Sequence, residues 1–228
     1  MRVLIDTTFA RRGPSGTAVY LERLVPELRA LGVDVVEAAN ARRRAPAGGG
    51  LGSVRNLAAD RAWTALGLAG RARAAGAGLV HHPLPAGSRA IRVPQVVTVH
   101  DLAFERVPER FDPRFRAYAR RAHRSAARRA AVVIAVSQAT AEDVRERWGI
   151  DPARIVVAAH GPGQASEPPP PRTDPPTHFL YVGDDEPRKD LGLLLSAHAR
   201  HRAEAGAAAL PLVLAGSAPD PGRPGVRT

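Results

Sequence analysis

Short apolar runs alternate with helical patterns along most of this chain, and this alternation restricts its fold more than any other feature. Residues 2–6 (RVLID) form an apolar run of strand length, residues 17–31 repeat apolar side chains with helical spacing, and residues 33–38 form a second strand-like run. A strand, a glycine-containing loop, a helix and a strand make a βαβ unit, which implies a parallel sheet covered by helices. The chain is therefore predicted to be an α/β protein.

The alternation continues to about residue 160 and is then interrupted. Further strands are predicted over residues 79–82, 95–100, 131–136 and 154–158, with helices over 54–75, 112–130 and 137–148. Residues 161–176 contain seven prolines and two glycines, a composition typical of a linker. The pattern then resumes with strands over 178–182 and 211–215 and a helix over 190–205, whereas residues 216–228 show no pattern.

These segments predict two domains of unequal completeness. Residues 1–160 are expected to form a complete Rossmann-like domain, residues 161–176 a linker, and residues 177–228 an incomplete second Rossmann-like domain. Two strands and one helix leave an open sheet edge and an uncovered face. The second unit is thus expected to need the first domain, or further chain, to be stable.

Composition excludes several classes of protein. Cysteine is absent, which excludes a disulfide framework, a cysteine-based zinc site and a cysteine nucleophile. No apolar run approaches the roughly 20 residues that span a bilayer, and the acidic, short start MRVLID does not resemble a signal peptide. We expect a cytoplasmic protein.

The positive charge requires a separate explanation. The net charge is +11, yet only Lys189 among the 33 basic residues is a lysine. An arginine excess alongside abundant alanine, glycine and proline indicates GC-rich codon usage, and 4% aromatic residues are few for stacking on bases. We therefore predict no nucleic-acid partner. An anionic substrate, or peripheral contact with the inner face of an anionic membrane, accounts for the charge better.

One predicted helix concentrates this charge. Arginines recur along residues 112–130 with a spacing of four, and others lie beside them: Arg116, Arg120, Arg124, Arg128, Arg121 and Arg129. A solvated helix face explains this pattern, and so does a surface for anionic lipid headgroups or an acidic acceptor. The sequence leaves these readings open.

Residues that follow strands are the candidates for chemistry, because ligands of such proteins bind at the carboxyl ends of parallel strands, here in a cleft between two α/β units. Gly13 and Gly16 precede the first helix, where backbone N–H groups can approach a phosphate, although an ordinary turn has the same composition. His100 follows a strand and can accept or donate a proton near neutral pH. The alternative is a hydrogen-bonded His100 beside a helix-capping Asp101.

A second candidate loop follows the linker. Gly183 permits close approach of a ligand, and Arg188 and Lys189 precede a predicted helix N-terminus, where helix dipole and side-chain charge both favour a diphosphate. The adjacent carboxylates of residues 184–186 lack metal-ligand spacing, as does the pair of histidines at residues 81–82. No metal site is predicted.

Together these motifs resemble glycosyltransferase family 4, the retaining GT-B enzymes that use nucleotide-diphosphate sugars. The matching segments are TVHDLAF at 98–104, VSQATAEDV at 136–144, IVVAAHGPG at 155–163, FLYVGDDEPRKDLGLLLSAHA at 179–199 and LVLAG at 212–216. They follow the family's order and cover nearly the whole chain.

The resemblance implies transfer of a hexose to a glycan or lipid-linked acceptor without a metal or other cofactor, the nucleotide sugar being the co-substrate. It makes His100 the catalytic candidate and places Asp101 and Ser137 on the acceptor side. It assigns the donor to five residues: Gly16, Thr17, Gly183, Arg188 and Lys189.

The sequence also departs from the family. The Glu-x7-Glu motif that grips the sugar and ribose has no counterpart, since Glu204 is the last glutamate, and Gly183 is followed by aspartate instead of arginine. We therefore expect a C-terminally truncated member with little or no transferase activity as this chain. The alternative is a non-catalytic Rossmann-like module that binds an anionic glycan or a protein partner.

Overall fold

The computed structural model describes residues 1–12, 15–42, 51–161, 173–216 and 221–228. Within these ranges it does not describe the side chains of Arg11, Arg12, Leu51, Ser53, Val54 and Arg188. Gly13 and most of the predicted linker lie outside the described residues. The chain divides into two compact units, Met1–Ser166 and Glu167–Thr228.

The first unit is built on a six-stranded sheet in which every neighbouring pair is parallel. Its strands are β1 (Arg2–Asp6), β2 (Asp34–Ala38), β3 (Leu79–His82), β4 (Gln95–Val99), β5 (Val132–Ala135) and β6 (Ile155–Val157). They lie in the order β2-β1-β3-β4-β5-β6. The predicted α/β class and parallel sheet are confirmed.

Helices connect these strands much as the periodicity predicts. They are α1 (Gly16–Ala30), α2 (Leu51–Ala62), α3 (Leu68–Ala74), α4 (Ala103–Arg106), α5 (Pro113–Arg129) and α6 (Gln138–Trp148). A π-helical segment, Trp63–Gly67, joins α2 to α3, so that the single helix predicted over 54–75 is a continuous but irregular one. Short 3-10 turns occupy Thr8–Arg12, Pro108–Arg110 and Pro152–Arg154.

One apolar core of the first unit lies between the sheet and helices α5 and α6. Small side chains form the buried face of α5, which lets its backbone approach the sheet closely, and these are Ala119, Ala126 and Ala127. Trp148, at the end of α6, is fully buried in the same cluster. Burial of a large apolar side chain contributes about 1.5–3 kcal/mol, so this contact fixes α6 against the sheet.

The second unit is smaller. Its three parallel strands, β7 (Phe179–Val182), β8 (Leu212–Ala215) and β9 (Val226–Arg227), lie in the order β7-β8-β9, and α7 (Leu191–Ala205) connects β7 to β8. Two further 3-10 turns flank α7, at Pro187–Lys189 and Gly206–Ala208. Four leucines form the core, Leu191, Leu195, Leu212 and Leu214, while Phe179, Leu180 and Val182 on β7 stay exposed.

The second unit has one strand more than the two that the sequence predicts, because β9 forms within residues 216–228, where no pattern was found. The strand is only two residues long, and its pairing with β8 includes a backbone hydrogen bond from the Leu212 N–H to the Gly225 carbonyl. Two residues cannot display the alternating pattern by which a strand is recognised in a sequence.

Candidate functional site

The candidate site of the first unit lies where strands β3, β4 and β6 end. Because all six strands are parallel, their carboxyl ends share one edge of the sheet. His81 is the next-to-last residue of β3, His100 follows β4, and His160 comes three residues after β6. Tyr20, in the second turn of α1, reaches the same edge.

His100 is half-buried and has a defined hydrogen-bond partner. Its Nε2 lies 3.0 Å from the carbonyl oxygen of Pro83. A carbonyl only accepts, so Nε2 carries the proton and Nδ1 is the unprotonated nitrogen of the neutral ring. Burial lowers the pKa of His100, and the nearby His160 lowers it further. At neutral pH the ring is thus an uncharged hydrogen-bond acceptor at Nδ1.

Tyr20 forms the centre of an aromatic cluster with three histidines. Its ring centroid lies 6.4 Å from His81, 5.3 Å from His100 and 5.0 Å from His160, with His160 stacked at an interplanar angle of 29°. His100 and His160 are 5.4 Å apart. This cluster of Tyr20, His81, His100 and His160 is called the ring cluster below.

Thr98 links two members of the ring cluster, Tyr20 and His81, by hydrogen bonds. This fully buried residue of β4 places its hydroxyl 3.1 Å from the Tyr20 hydroxyl and 2.8 Å from His81 Nε2. Burial, together with His82 and His100, lowers the pKa of His81 to about 4, so His81 is neutral in the folded protein. Hydrogen bonds through Thr98 therefore connect Tyr20 to neutral His81 and fix the position of the Tyr20 hydroxyl.

Asp101 and Ser137 have local structural partners. The Asp101 carboxylate accepts a hydrogen bond from the Ala103 N–H at 3.0 Å, in the turn that leads into α4. Ser137 is the N-cap of α6, as its sequence predicts, and accepts from the Thr140 N–H at 3.1 Å. Thr140 in turn donates to the His100 carbonyl at 3.3 Å. The cap of α6 therefore holds the backbone at His100.

Gly16 and Thr17 open helix α1, one residue earlier than the sequence predicts for the helix start. The N-cap is Ser15, whose hydroxyl accepts from the Ala18 N–H at 3.2 Å. A Cβ added at Gly16 would meet no atom within 4 Å, so packing within the described protein does not require a glycine there.

The loop after β7 brings Gly183 and Lys189 together. A Cβ added at Gly183, whose φ is +152°, would lie 2.6 Å from the Lys189 Nζ, so the lysine side chain crosses directly over the glycine. The Gly183 N–H donates to the Ala215 carbonyl at 2.8 Å, which places this loop at the carboxyl end of β7 and β8. The side chain of Arg188 lies outside the described residues.

Neither a metal centre nor a membrane span is found in the described ranges. There, no group of three or more histidine, cysteine or carboxylate side chains is arranged to hold a metal ion. No helix in the same ranges is long and apolar enough to cross a bilayer.

Three residues of the site carry no signal in the sequence strong enough to single them out: Tyr20, Thr98 and His160. Tyr20 lies between apolar positions of α1, and Thr98 is the next-to-last residue of the apolar strand β4. His160 has the clearest signal, because it follows a strand within a few residues, as His100 does.

The fold is that of the GT-B glycosyltransferases, an α/β class with a parallel sheet in each of its Rossmann-like units. A crystal structure of Alr3699/HepE from Anabaena in complex with UDP is 18% identical, with a TM-score of 0.51 over 96% of this chain and 61% of that one. UGT89C1 of Arabidopsis thaliana complexed with UDP is 13% identical, with a TM-score of 0.52 over 99% and 69%. The chain thus spans about six-tenths of the length of the Anabaena protein.

The sequence itself gives the family. The model of glycosyltransferase family 4 matches residues 14–161, well over half of the chain. The chain belongs to glycosyltransferase family 4, as its motifs indicated. No curated protein matches the sequence.

His123, a partly buried residue outside the ring cluster, makes stability depend on pH. Burial lowers the pKa of His123, on α5, to about 4. In the unfolded chain the value is about 6.5, so the unfolded state takes up the proton first and stability falls as the pH drops from about 6.5 to about 4. At pH 5, protonation of His123 in the unfolded chain lowers the free energy of unfolding by about 2 kcal/mol relative to pH 7.

Urea unfolding of the first unit at pH 7 and pH 5 measures this effect. His123→Leu should remove about 2 kcal/mol of the stability difference between the two pH values. His178→Gln, at an exposed position, serves as the control for losing one histidine. An unchanged pH dependence in His123→Leu would show that His123 is not held neutral.

Proposed function

We propose that the protein transfers a hexose from a nucleotide-diphosphate sugar, with retention of configuration, to a glycan or a lipid-linked acceptor. Membership of glycosyltransferase family 4 over residues 14–161 supports the reaction class. The observation that carries the proposal is the ring cluster, which presents neutral His100 beside Tyr20 and His160 at the carboxyl edge of the sheet.

His100 is proposed as the catalytic residue. With Nε2–H bound to the Pro83 carbonyl, Nδ1 is the nitrogen that accepts a hydrogen bond from a sugar or acceptor hydroxyl. Its lowered pKa keeps that nitrogen unprotonated at neutral pH. Tyr20 and the exposed ring of His160 form a stacked apolar surface beside it.

Gly183 and Lys189 are proposed as the site of the donor diphosphate. The glycine leaves backbone exposed, and the ammonium group of Lys189 lies next to it. A cation at this point neutralises the charge that develops on a diphosphate leaving group, which replaces a metal ion in that electrostatic role. Arg188, Gly16 and Thr17 are further donor-side candidates, and Asp101 and Ser137 are acceptor-side candidates.

Replacing Lys189 with alanine should weaken binding of a nucleotide-diphosphate sugar about tenfold or more, because a charge-assisted hydrogen bond is lost. Calorimetric titration with UDP-glucose and GDP-mannose measures the change. Arg200→Ala is the matched control, since it removes one positive charge from an exposed position on α7 of the same unit. Equal weakening in both variants would assign the effect to net charge and not to Lys189.

A single-turnover assay tests the reaction itself. With protein in excess of an α-linked radiolabelled donor, slow transfer or donor cleavage becomes measurable, and we expect it to be slow because the chain lacks the Glu-x7-Glu motif. A sugar transferred to an acceptor hydroxyl should be α-linked in the product. Absence of any reaction would favour the non-catalytic module that binds an anionic glycan or a protein, and a β product would exclude retention.

A further inference from the structure

The carbonyl oxygen of His100 receives a hydrogen bond from a helix and not from a neighbouring strand. The paired residues of β4 and β5 end at Val99 and Ala135, and the Val136 N–H donates to the Val99 carbonyl at 3.4 Å. His100 is the next residue of the chain, and the hydroxyl of Thr140, on α6, donates to its carbonyl at 3.3 Å. A helix side chain thus continues the contact between these segments one residue beyond the paired strands.

Thr140 makes this bond from an unexpected position, the first turn of α6. It lies three residues after the N-cap Ser137, where a capping box has glutamate or glutamine. A threonine inside a helix usually donates to a carbonyl three or four residues earlier in the same helix. Thr140 is buried and donates instead to a carbonyl 40 residues earlier in the chain. Its hydroxyl therefore contributes to the backbone at His100 and not to the regular bonding of its own helix.

The hydroxyl proton of Ser137 is directed at Thr140. The two side-chain oxygens lie 3.0 Å apart, and the single hydroxyl proton of Thr140 is already used on the His100 carbonyl. Ser137 is therefore the donor of this pair, while its oxygen accepts from the Thr140 N–H at 3.1 Å. The hydrogen bonds run in one direction, from Ser137 through Thr140 to His100, and Ser137 has no proton left to give to a sugar acceptor.

His100 is held from the sides of both neighbouring strands. β4 lies between β3 and β5 in the sheet. On the β3 side, the ring Nε2 donates to the carbonyl of Pro83, the residue that follows β3. On the β5 side, Thr140 holds the backbone carbonyl of His100. With one anchor lost, the ring can turn about the other, whereas a reacting group needs to be held within about 0.5 Å of its productive position.

We propose that Thr140 is a positioning residue of the transfer reaction, which acts through His100, and that Ser137 acts through Thr140 without contacting the acceptor. Together they fix the direction in which the unprotonated Nδ1 of His100 points. This inference rests on the proposed catalytic role of His100, and it gives Ser137 a different role from the acceptor-side one that the family resemblance implies.

Histidine ring spectra test the anchoring of His100 without any reaction. Long-range proton–nitrogen NMR correlations at neutral pH show which ring nitrogen carries the proton, and His100→Gln identifies the signals of His100. The parental chain should show His100 protonated at Nε2. Thr140→Val keeps the shape of the side chain but has no hydroxyl, so it should show a mixture of the two neutral forms, and Thr140→Ser should restore the parental spectrum. An unchanged spectrum in Thr140→Val would overturn the proposal.

The single-turnover rate tests the consequence for transfer. Thr140→Val should lower the rate at saturating protein about tenfold, because a reacting group is less well placed. The protein concentration that gives half of this rate should stay within about twofold, since no donor contact is lost. Thr140→Ser should react as the parent does. A parental rate in Thr140→Val, or an equal loss in Thr140→Ser, would contradict the positioning role.

The matched control is Val144→Ala, one turn further along α6. Val144 is fully buried in the apolar core, so this variant should lose at least as much stability as Thr140→Val, while the helix cap and the bond to His100 remain. It should keep the parental His100 spectrum and the parental rate. An equal loss of rate in Val144→Ala would assign the effect to a loosened helix and overturn the proposal.

Ser137→Ala separates positioning from direct contact with the acceptor. It should change the His100 spectrum in the same direction as Thr140→Val and leave the half-saturating acceptor concentration unchanged. A higher half-saturating concentration together with a parental His100 spectrum would show that Ser137 contacts the acceptor, against the role proposed for it. If the parental chain transfers no sugar, the proposed function fails, and the NMR comparison alone decides whether Ser137 and Thr140 hold His100.

Discussion

Replacing His100 with alanine is expected to lower the single-turnover rate of sugar transfer by about 100-fold or more, the usual contribution of a positioned acid or base. The substitution removes the histidine whose Nε2–H is bound by the Pro83 carbonyl, which leaves Nδ1 as its unprotonated nitrogen. His100 is half-buried at a strand end and outside the apolar core clusters, so the fold should survive its loss.

Two further variants separate chemistry from packing at this position. His100→Gln can still donate to the Pro83 carbonyl but cannot take up a proton, so it should fold as the parent does and transfer as slowly as His100→Ala. His160→Ala removes the ring stacked on Tyr20 and should cause a smaller loss, through weaker substrate binding. Parental rates in His100→Ala would exclude His100 from the reaction.

Replacing Gly216 with alanine is expected to unfold the second unit. A Cβ at this residue would lie 2.1 Å from the Gly183 carbonyl oxygen, and the φ of Gly216 is +138°, where only glycine is comfortable. Either the strand ends separate or the backbone rotates, at a cost of about 3 kcal/mol. A single small core rarely supplies more than about 3–5 kcal/mol, so this cost removes most of the unit's stability.

Amide hydrogen exchange resolves this effect along the chain. In Gly216→Ala, strands β7 and β8 should lose their protection while the six strands of the first unit keep theirs. Gly206→Ala is the control, because Gly206 also has a positive φ, of +56°, but its added Cβ meets nothing within 4 Å. Retained protection of β7 in Gly216→Ala would show that the close approach of Gly183 and Gly216 is not needed.

The sequence predicts the sheet well because each long strand is a buried apolar run. The six strands of the first unit fall within a residue or two of their predicted limits, and Ser137 caps α6 as its position before an apolar-periodic segment indicates. These features depend on local patterns. The two-residue strand β9 depends instead on backbone pairing with β8, which leaves no trace in side-chain periodicity.

The candidate site was only partly predictable, because its geometry depends on strand order. His100 could be named from its place after a strand, but Tyr20 meets Thr98 and His81 only because α1, β3 and β4 come together in the fold, from segments far apart in sequence. The arginine-lined outer face of α5 illustrates the same limit. Spacing along α5 predicted a charged stripe, but not that Arg89 from a distant loop would extend it.

Calorimetric titration of the parental chain with UDP-glucose and GDP-mannose tests the central claim, that this protein uses a nucleotide-diphosphate sugar, most directly. Uridine, guanosine and the free sugars, which lack the diphosphate, serve as the comparison ligands. The account predicts saturable binding of at least one nucleotide sugar and none of the phosphate-free ligands at the same concentrations. Absence of saturable binding by both donors at millimolar concentration would contradict it and favour the non-catalytic module.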